Sequence, residues 1–242
     1  MRDGMRTRRS LGAYLFVFGL LVGMLFAALV AWANMEASLF DASYLVADAP
    51  FRGLSCPPMM TSDETVTVAA TFRNPSGTRR LRSIRVHISH GFVTLMREET
   101  ASFFLEPGES QRLAWTVTPE DAAWGRLVLV RVHELRNLPL PSRTGSCGIL
   151  VVGLPQATGA QVTAVMVGLS IILMVVGAFL WISGHRKAHR PMEFAQSAIL
   201  VAGGVVVAAM LFSMMGVWLI SGLLSLLVLL LLLTIAAWAL SG

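Results

Sequence analysis

Residues 195–242 read AQSAILVAGGVVVAAMLFSMMGVWLISGLLSLLVLLLLLTIAAWALSG, forty-eight positions without one charged side chain. Two near-continuous apolar runs meet there around Ser221-Gly222. A third run spans Gly159 to Ser183, and a fourth spans Leu11 to Ala33. A bilayer core about 30 Å thick is crossed by roughly 20 apolar residues in a helix. The pattern predicts an integral membrane protein with four transmembrane helices. The expected order is a basic N-terminus (1–10), helix 1 (11–34), a polar domain (35–155), helix 2 (158–183), a basic loop (184–193), helix 3 (194–220), a tight turn (221–222) and helix 4 (223–241).

The whole chain is 55% hydrophobic, with a mean hydropathy of +0.68, which excludes an ordinary soluble domain. Its charges fall in the first nine residues, from about Glu36 to Arg143, and from His185 to Glu193. The middle stretch is roughly 115 residues, enough for one small hydrophobic core. The net charge of +5 has a topological cause rather than a nucleic-acid partner. Arg2, Arg6, Arg8 and Arg9 precede the first run, and Arg186, Lys187 and Arg190 lie between the second and third. Basic residues collect on the cytoplasmic side, so both termini are expected inside and the polar domain outside. Arg186, Lys187 and Arg190 are then expected against lipid headgroups of a bacterial cytoplasmic membrane. Ala31-Trp32-Ala33 resembles a signal-peptidase site, but the run before it is longer than the roughly 7–15 residues of a signal core. A retained anchor is expected.

Cys56 and Cys147 are the only cysteines and flank the polar domain. In an oxidising compartment they are expected to form a disulfide. Cys56 with Met59 and Met60 would suit copper(I), yet Pro57-Pro58 reads as a loop and no metal is expected.

The domain alternates with period two, the mark of half-buried strands. Val66, Val68, Ala70 and Phe72 alternate with Thr65, Thr67, Thr71 and Arg73. Ile84, Val86 and Ile88 alternate with Arg85, His87 and Ser89. Leu113, Trp115 and Val117 alternate with Arg112, Ala114 and Thr116. Further strands are expected at Tyr44–Val46, Phe92–Leu105, Gly125–Leu135 and Gly145–Val152. Turn signals separate them at Asn74–Gly77, His90-Gly91, Glu106–Gly108 and Thr118–Asp121. About seven short strands argue for an all-β antiparallel sandwich inserted between helices 1 and 2.

The stretches Val68–Asn74, Leu105–Ser110 and Leu113–Val117 carry a resemblance. Val66 to Val132 resembles the immunoglobulin-like β-sandwich modules of bacterial cell-surface proteins. The antibody-type Cys…Trp…Cys core is lacking, because the cysteines lie near the domain ends. The resemblance implies a spacer or a contact surface, and fold alone does not decide between them.

Motifs for chemistry are few. His87 and His90, with His133, invite a metal reading. On one strand, however, positions three apart face opposite sides, and solvent-facing histidines are expected instead. Glu98-Glu99 and Glu120-Asp121 do not form a carboxylate pair, since strand neighbours diverge. Arg79, Arg80, Arg82 and Arg85 form the densest charge cluster. They read as a solvated strand edge, or as a candidate docking patch for an acidic partner or lipid headgroups. No ionisable side chain sits inside an apolar run, where proton relays and ion paths would need one. Structural lipids are expected and no cofactor, although His185 and His189 could touch a pigment or haem. Small residues four apart mark helix-packing faces: Gly19 and Gly23, Ala198 and Ala202, Gly204 and Ala208.

These readings lead to a non-catalytic accessory or assembly subunit of a larger, hetero-oligomeric bacterial membrane complex. Its partners would be other membrane subunits and lipids. The alternative is a cell-envelope receptor or adhesion protein binding an external ligand through the sandwich.

Overall fold

The computed structural model describes residues 2–41, 47–137, 141–183 and 190–241, with side chains at 8, 10–41, 47–137, 141–183 and 199–233. The elements run α1 (Arg2–Leu39), β1 (Ala49–Pro50), β2 (Leu54–Ser55), β3 (Met59–Thr61), β4 (Val66–Arg73) and β5 (Arg80–His90). They continue with β6 (Phe92–Leu105), β7 (Ser110–Val117), a 3-10 turn (Pro119–Asp121), β8 (Leu127–Glu134), β9 (Arg143–Val152), α2 (Gly159–Ser183), α3 (Arg190–Met214) and α4 (Trp218–Ser241). Two compact units result: Trp32–Val162, and Met1–Ala31 with Thr163–Gly242.

The first unit is sheet-rich. Strands order as β1-β9-β8-β5-β6, with β3 also on β9, and as β2-β4-β7 in a second sheet. β1 and β3 run parallel to β9, so the larger sheet is mixed, not antiparallel throughout as expected. Both added strands are only two or three residues long, too short to show alternation. The expected strand at Tyr44–Val46 lies outside the described residues.

The period-two pattern places the core. Ile84, Val86 and Ile88 of β5 share a side with Val128, Val130 and Val132 of β8 and with Cys147 and Ile149 of β9. Val68, Ala70 and Phe72 of β4 and Trp115 and Val117 of β7 complete one apolar cluster. The cluster therefore draws on both sheets. Phe51 stacks on Phe72 with ring centroids 4.8 Å apart. Cys56, just past β2, is bonded to Cys147 in the middle of β9, so the disulfide joins the two sheets through this core. Their Cα atoms are 6.5 Å apart.

In the helical unit, α1 and α2 approach closely. The Ser170 hydroxyl donates to the Gly19 carbonyl at 2.8 Å. A Cβ on Gly19 would meet Ser170 O at 2.9 Å, and one on Gly23 would meet Ser170 Oγ and Val206 Cγ1 at 2.6 Å. Gly177 and Gly12, which the small-residue reading passed over, are just as crowded: a Cβ on Gly177 would lie 2.7 Å from Gly12 O.

Two of the four helices, α1 over Ser10–Leu39 and α2, are long and apolar enough to cross a membrane. Four were expected. The apolar stretches of α3 and α4 among the described residues, Ile199–Met214 and Trp218–Leu233, are shorter. The turn between them is also displaced from Ser221-Gly222. Gly216, at φ 75°, ends α3; its N–H donates to Ser213 O, and the Val217 N–H donates to Phe212 O. That pair of bonds closes a helix through a left-handed glycine. Ser221 instead lies inside α4 and donates to the Ala209 carbonyl at 2.9 Å.

Candidate functional site

The larger sheet has a second face, and its middle is polar. Strand β8 is buried along its whole length on both sides. Residues of odd number on β5 and β8 point away from the apolar core: Arg85 and His87 on β5, Arg131 and His133 on β8. In the antiparallel register His87 stands opposite Arg131, and Arg85 opposite His133. The two histidines are thus diagonal neighbours, with ring centroids 5.8 Å apart. They are 4% and 3% exposed, not solvent-facing as expected.

The end of α1 and the residues after it cover this face. Asn34 Oδ1 accepts the Gly148 N–H at 3.3 Å, and a Cβ on Gly148 would overlap the Ala33 backbone. Only glycine lets helix and strand come this close. Arg131 donates to the carbonyls of Phe40 at 2.5 Å, Asp41 at 3.2 Å and Ser38 at 3.3 Å. Its guanidinium satisfies the carbonyls that the helix end leaves without intrahelical partners.

Asp41, at φ 53°, follows directly. Its carboxylate is 3% exposed and lies 2.5 Å from His87 Nδ1 and 3.9 Å from His133 Nε2. Donor atoms of Asp41, His87 and His133 lie within 4.8 Å of one another. The outward nitrogens also have oxygen neighbours: His133 Nδ1 is 2.8 Å from Thr144 Oγ1, and His87 Nε2 is 3.5 Å from Glu98 Oε2. Glu98 is paired in turn with Arg85 at 2.9 Å. Burial pushes His133 down to about 4; Arg131, His87 and Arg85 press in the same direction, and Asp41 opposes them. His133 is therefore neutral at pH 7, with a lone pair on one ring nitrogen. Burial also lowers Arg131, with Asp41 opposing. Two imidazoles and one carboxylate can share a proton or hold a metal ion.

The trio weighed and set aside from the sequence contained His90 in place of Asp41. His90 is exposed and stands near Asp121, at 3.8 Å. Pairing β5 with β8 would have brought His87 and His133 together. No local signal pointed to Asp41, which lies 46 positions before His87.

The arginine cluster is dispersed. Arg79 is exposed, pairs with Glu106 at 3.1 Å and lies over the Phe104 ring. Arg82 falls on the core side of β5, is 3% exposed, and is locked to the equally buried Glu134 and to the Arg73 carbonyl. Arg85 serves Glu98. The four therefore do not form one surface patch. Glu98 and Glu99 separate toward Arg85 and Arg97. Asp121 is buried and held by Arg97 at 3.0 Å, apart from Glu120.

On α3, Val206, Ala209, Met210 and Ser213 are buried. A Cβ on Gly204 would meet nothing within 4 Å, and Ala202 and Ala208 are half-buried. The side chains of Ala198 and Arg190, and all of His185, Arg186, Lys187 and His189, lie outside the described residues.

No family model and no curated protein matches this sequence. Among solved structures, a β-glucuronidase from Bacteroides uniformis is similar over 40% of the chain, at 17% identity and a TM-score of 0.31. A β-glucosidase from Erythrobacter marinus is similar over 38%, at 18% identity and a TM-score of 0.26. The chain spans 12% and 14% of the length of these two structures. Both are glycoside hydrolases, and against them the expectation that this chain is not an enzyme is withdrawn. That expectation rested on missing contiguous motifs, whereas Asp41, His87 and His133 assemble from three separate segments. At these TM-scores the likeness carries no argument about fold, substrate or reaction.

Proposed function

We propose that the chain is an accessory or assembly subunit of a larger membrane complex. It is held in a bacterial cytoplasmic membrane by four helices, with residues 35–155 outside as a docking module of immunoglobulin-like sandwich type. Two sheets contributing to one apolar core support the sandwich, and a disulfide between them supports an oxidising compartment.

One observation carries the docking role. Trp124 is 52% exposed and sits at φ 52°, a conformation that bulky residues avoid. Its N–H donates to Gly91 O at 2.9 Å, at the tip of the β5–β6 hairpin. Phe92, Leu95 and Met96, at 59%, 54% and 41% exposure, lie beside that tip on the edge strand β6. Strained backbone and exposed apolar side chains together mark contact sites.

The test is crosslinking in native membranes from a photoreactive residue at position 124, followed by isolation in mild detergent. The proposal expects partner subunits in fixed stoichiometry, and loss of the crosslink with Phe92→Ser. Recovery of the chain alone, uncrosslinked, refutes it. Crosslinks only to secreted or envelope ligands would favour the receptor reading, which the same exposed aromatics support.

A further inference from the structure

We propose that Asp41, His87 and His133 bind one divalent first-row transition ion of the zinc class. Two imidazole nitrogens and one carboxylate oxygen suit such ions. Ca²⁺ and Mg²⁺ require more oxygen ligands than one carboxylate supplies.

The geometry is close to that of a bound ion. At metal–ligand distances of about 2.0–2.2 Å in a tetrahedral site, two donors on one metal lie roughly 3.3–3.6 Å apart. The Asp41 oxygen lies 2.5 Å from His87 Nδ1 and 3.9 Å from His133 Nε2. These two distances bracket the bound value, and all three donor atoms lie within 4.8 Å of one another, so an ion seated among them draws the ligands inward. Two rigid paired strands supply the imidazoles, so little order is lost on binding.

The surroundings point the same way. Metal-bound histidines are oriented by an oxygen at the ring nitrogen that does not bind. Thr144 Oγ1 stands at that position for His133 and Glu98 Oε2 for His87. The site's positive neighbours are themselves occupied: Arg85 by Glu98, and Arg131 by the carbonyls of residues 38, 40 and 41. Three protein ligands leave a coordination position open, as in reactive rather than purely structural sites.

The full chain, purified untagged in detergent and stripped with chelator, is titrated with Zn²⁺ by calorimetry and with Co²⁺ by visible absorption. The proposal expects one equivalent bound and d–d bands of intensity typical of low coordination number. His87→Ala and Asp41→Asn abolish both, while His90→Ala, at the exposed histidine, changes neither. Thr144→Val, which removes a positioning hydroxyl, weakens binding about 10–100-fold and shifts the cobalt bands. Formation of the Cys56–Cys147 disulfide and an unchanged circular dichroism spectrum certify that each variant is folded. The proposal falls if the folded wild type binds no Zn²⁺ or Co²⁺. It falls equally if folded His87→Ala and Asp41→Asn bind like the wild type, or if His90→Ala abolishes binding.

Discussion

Opening the Cys56–Cys147 bond should be the largest single perturbation available to the sheet-rich unit. Its two ends are separated by 91 positions. In the chain-entropy model a loop of that length costs the unfolded chain about 15.5 cal/mol/K, or about 4.6 kcal/mol at 25 °C. The unit spans roughly 130 residues, so its unfolding entropy near the midpoint is about 0.27 kcal/mol/K. The ratio predicts a fall in Tm of about 17 °C. The bond also joins the two sheets through the core, with Cys147 at 8% exposure, so its loss loosens packing as well. The assay is thermal unfolding of the full chain in detergent, followed by circular dichroism, for oxidised protein against a Cys56→Ala/Cys147→Ala variant. A shift below about 5 °C would refute the reasoning, because the bond would then close no loop that the unfolded chain is free to explore.

Removing one partner of the buried Arg82–Glu134 pair by Glu134→Leu should cost about 3–5 kcal/mol, whereas Arg82→Met/Glu134→Leu should recover most of that loss. Urea midpoints of both variants check this, and a double variant as weak as the single contradicts it. His133 titrates near 4 in the fold and at about 6.5 in the unfolded chain. The unfolded state therefore takes up the proton first. Stability is full above about pH 6.5, falls by up to about 1.4 kcal/mol per unit between there and about pH 4, and then levels off for this group. Chelator-treated wild type should show this slope in urea midpoints and His133→Gln should lose it; identical slopes would contradict the assignment. Gly177→Ile places side-chain atoms against the α1 backbone and should cost about 1–3 kcal/mol or more in the helical unit, read as a lower detergent-melting midpoint. Gly204→Ile, with open space around it, should leave that midpoint unchanged.

Strands were legible wherever one face is buried and the other wet. Phe92–Leu105 matched β6 at both ends, and β4, β5 and β7 fell where alternation put them. The same rule misled at His87, because a sheet covered on both faces buries its polar positions too. What covers the second face is the end of α1, and nothing in the alternation of β5 announces a helix arriving from 46 residues upstream. Arg82 shows the related failure: read as part of a charge run it looks solvated, yet its even-numbered position puts it on the core side, where Glu134 and the Arg73 carbonyl make burial tolerable. The turn at Gly216 lost out to Ser221-Gly222 for want of backbone information. Both sites carry glycine, and only the left-handed φ of Gly216 distinguishes the one that ends a helix.

The central proposal is that the disulfide-closed sheet unit lies on the oxidising side of a membrane while the basic residues 186–187 lie on the other. Gly77→Cys, in a turn with open space around it, and Lys187→Cys test it through a membrane-impermeant maleimide applied to intact cells. The account predicts labelling at position 77 in intact cells and at position 187 only after permeabilisation. Labelling of both positions in intact cells, or of 187 alone, would contradict it.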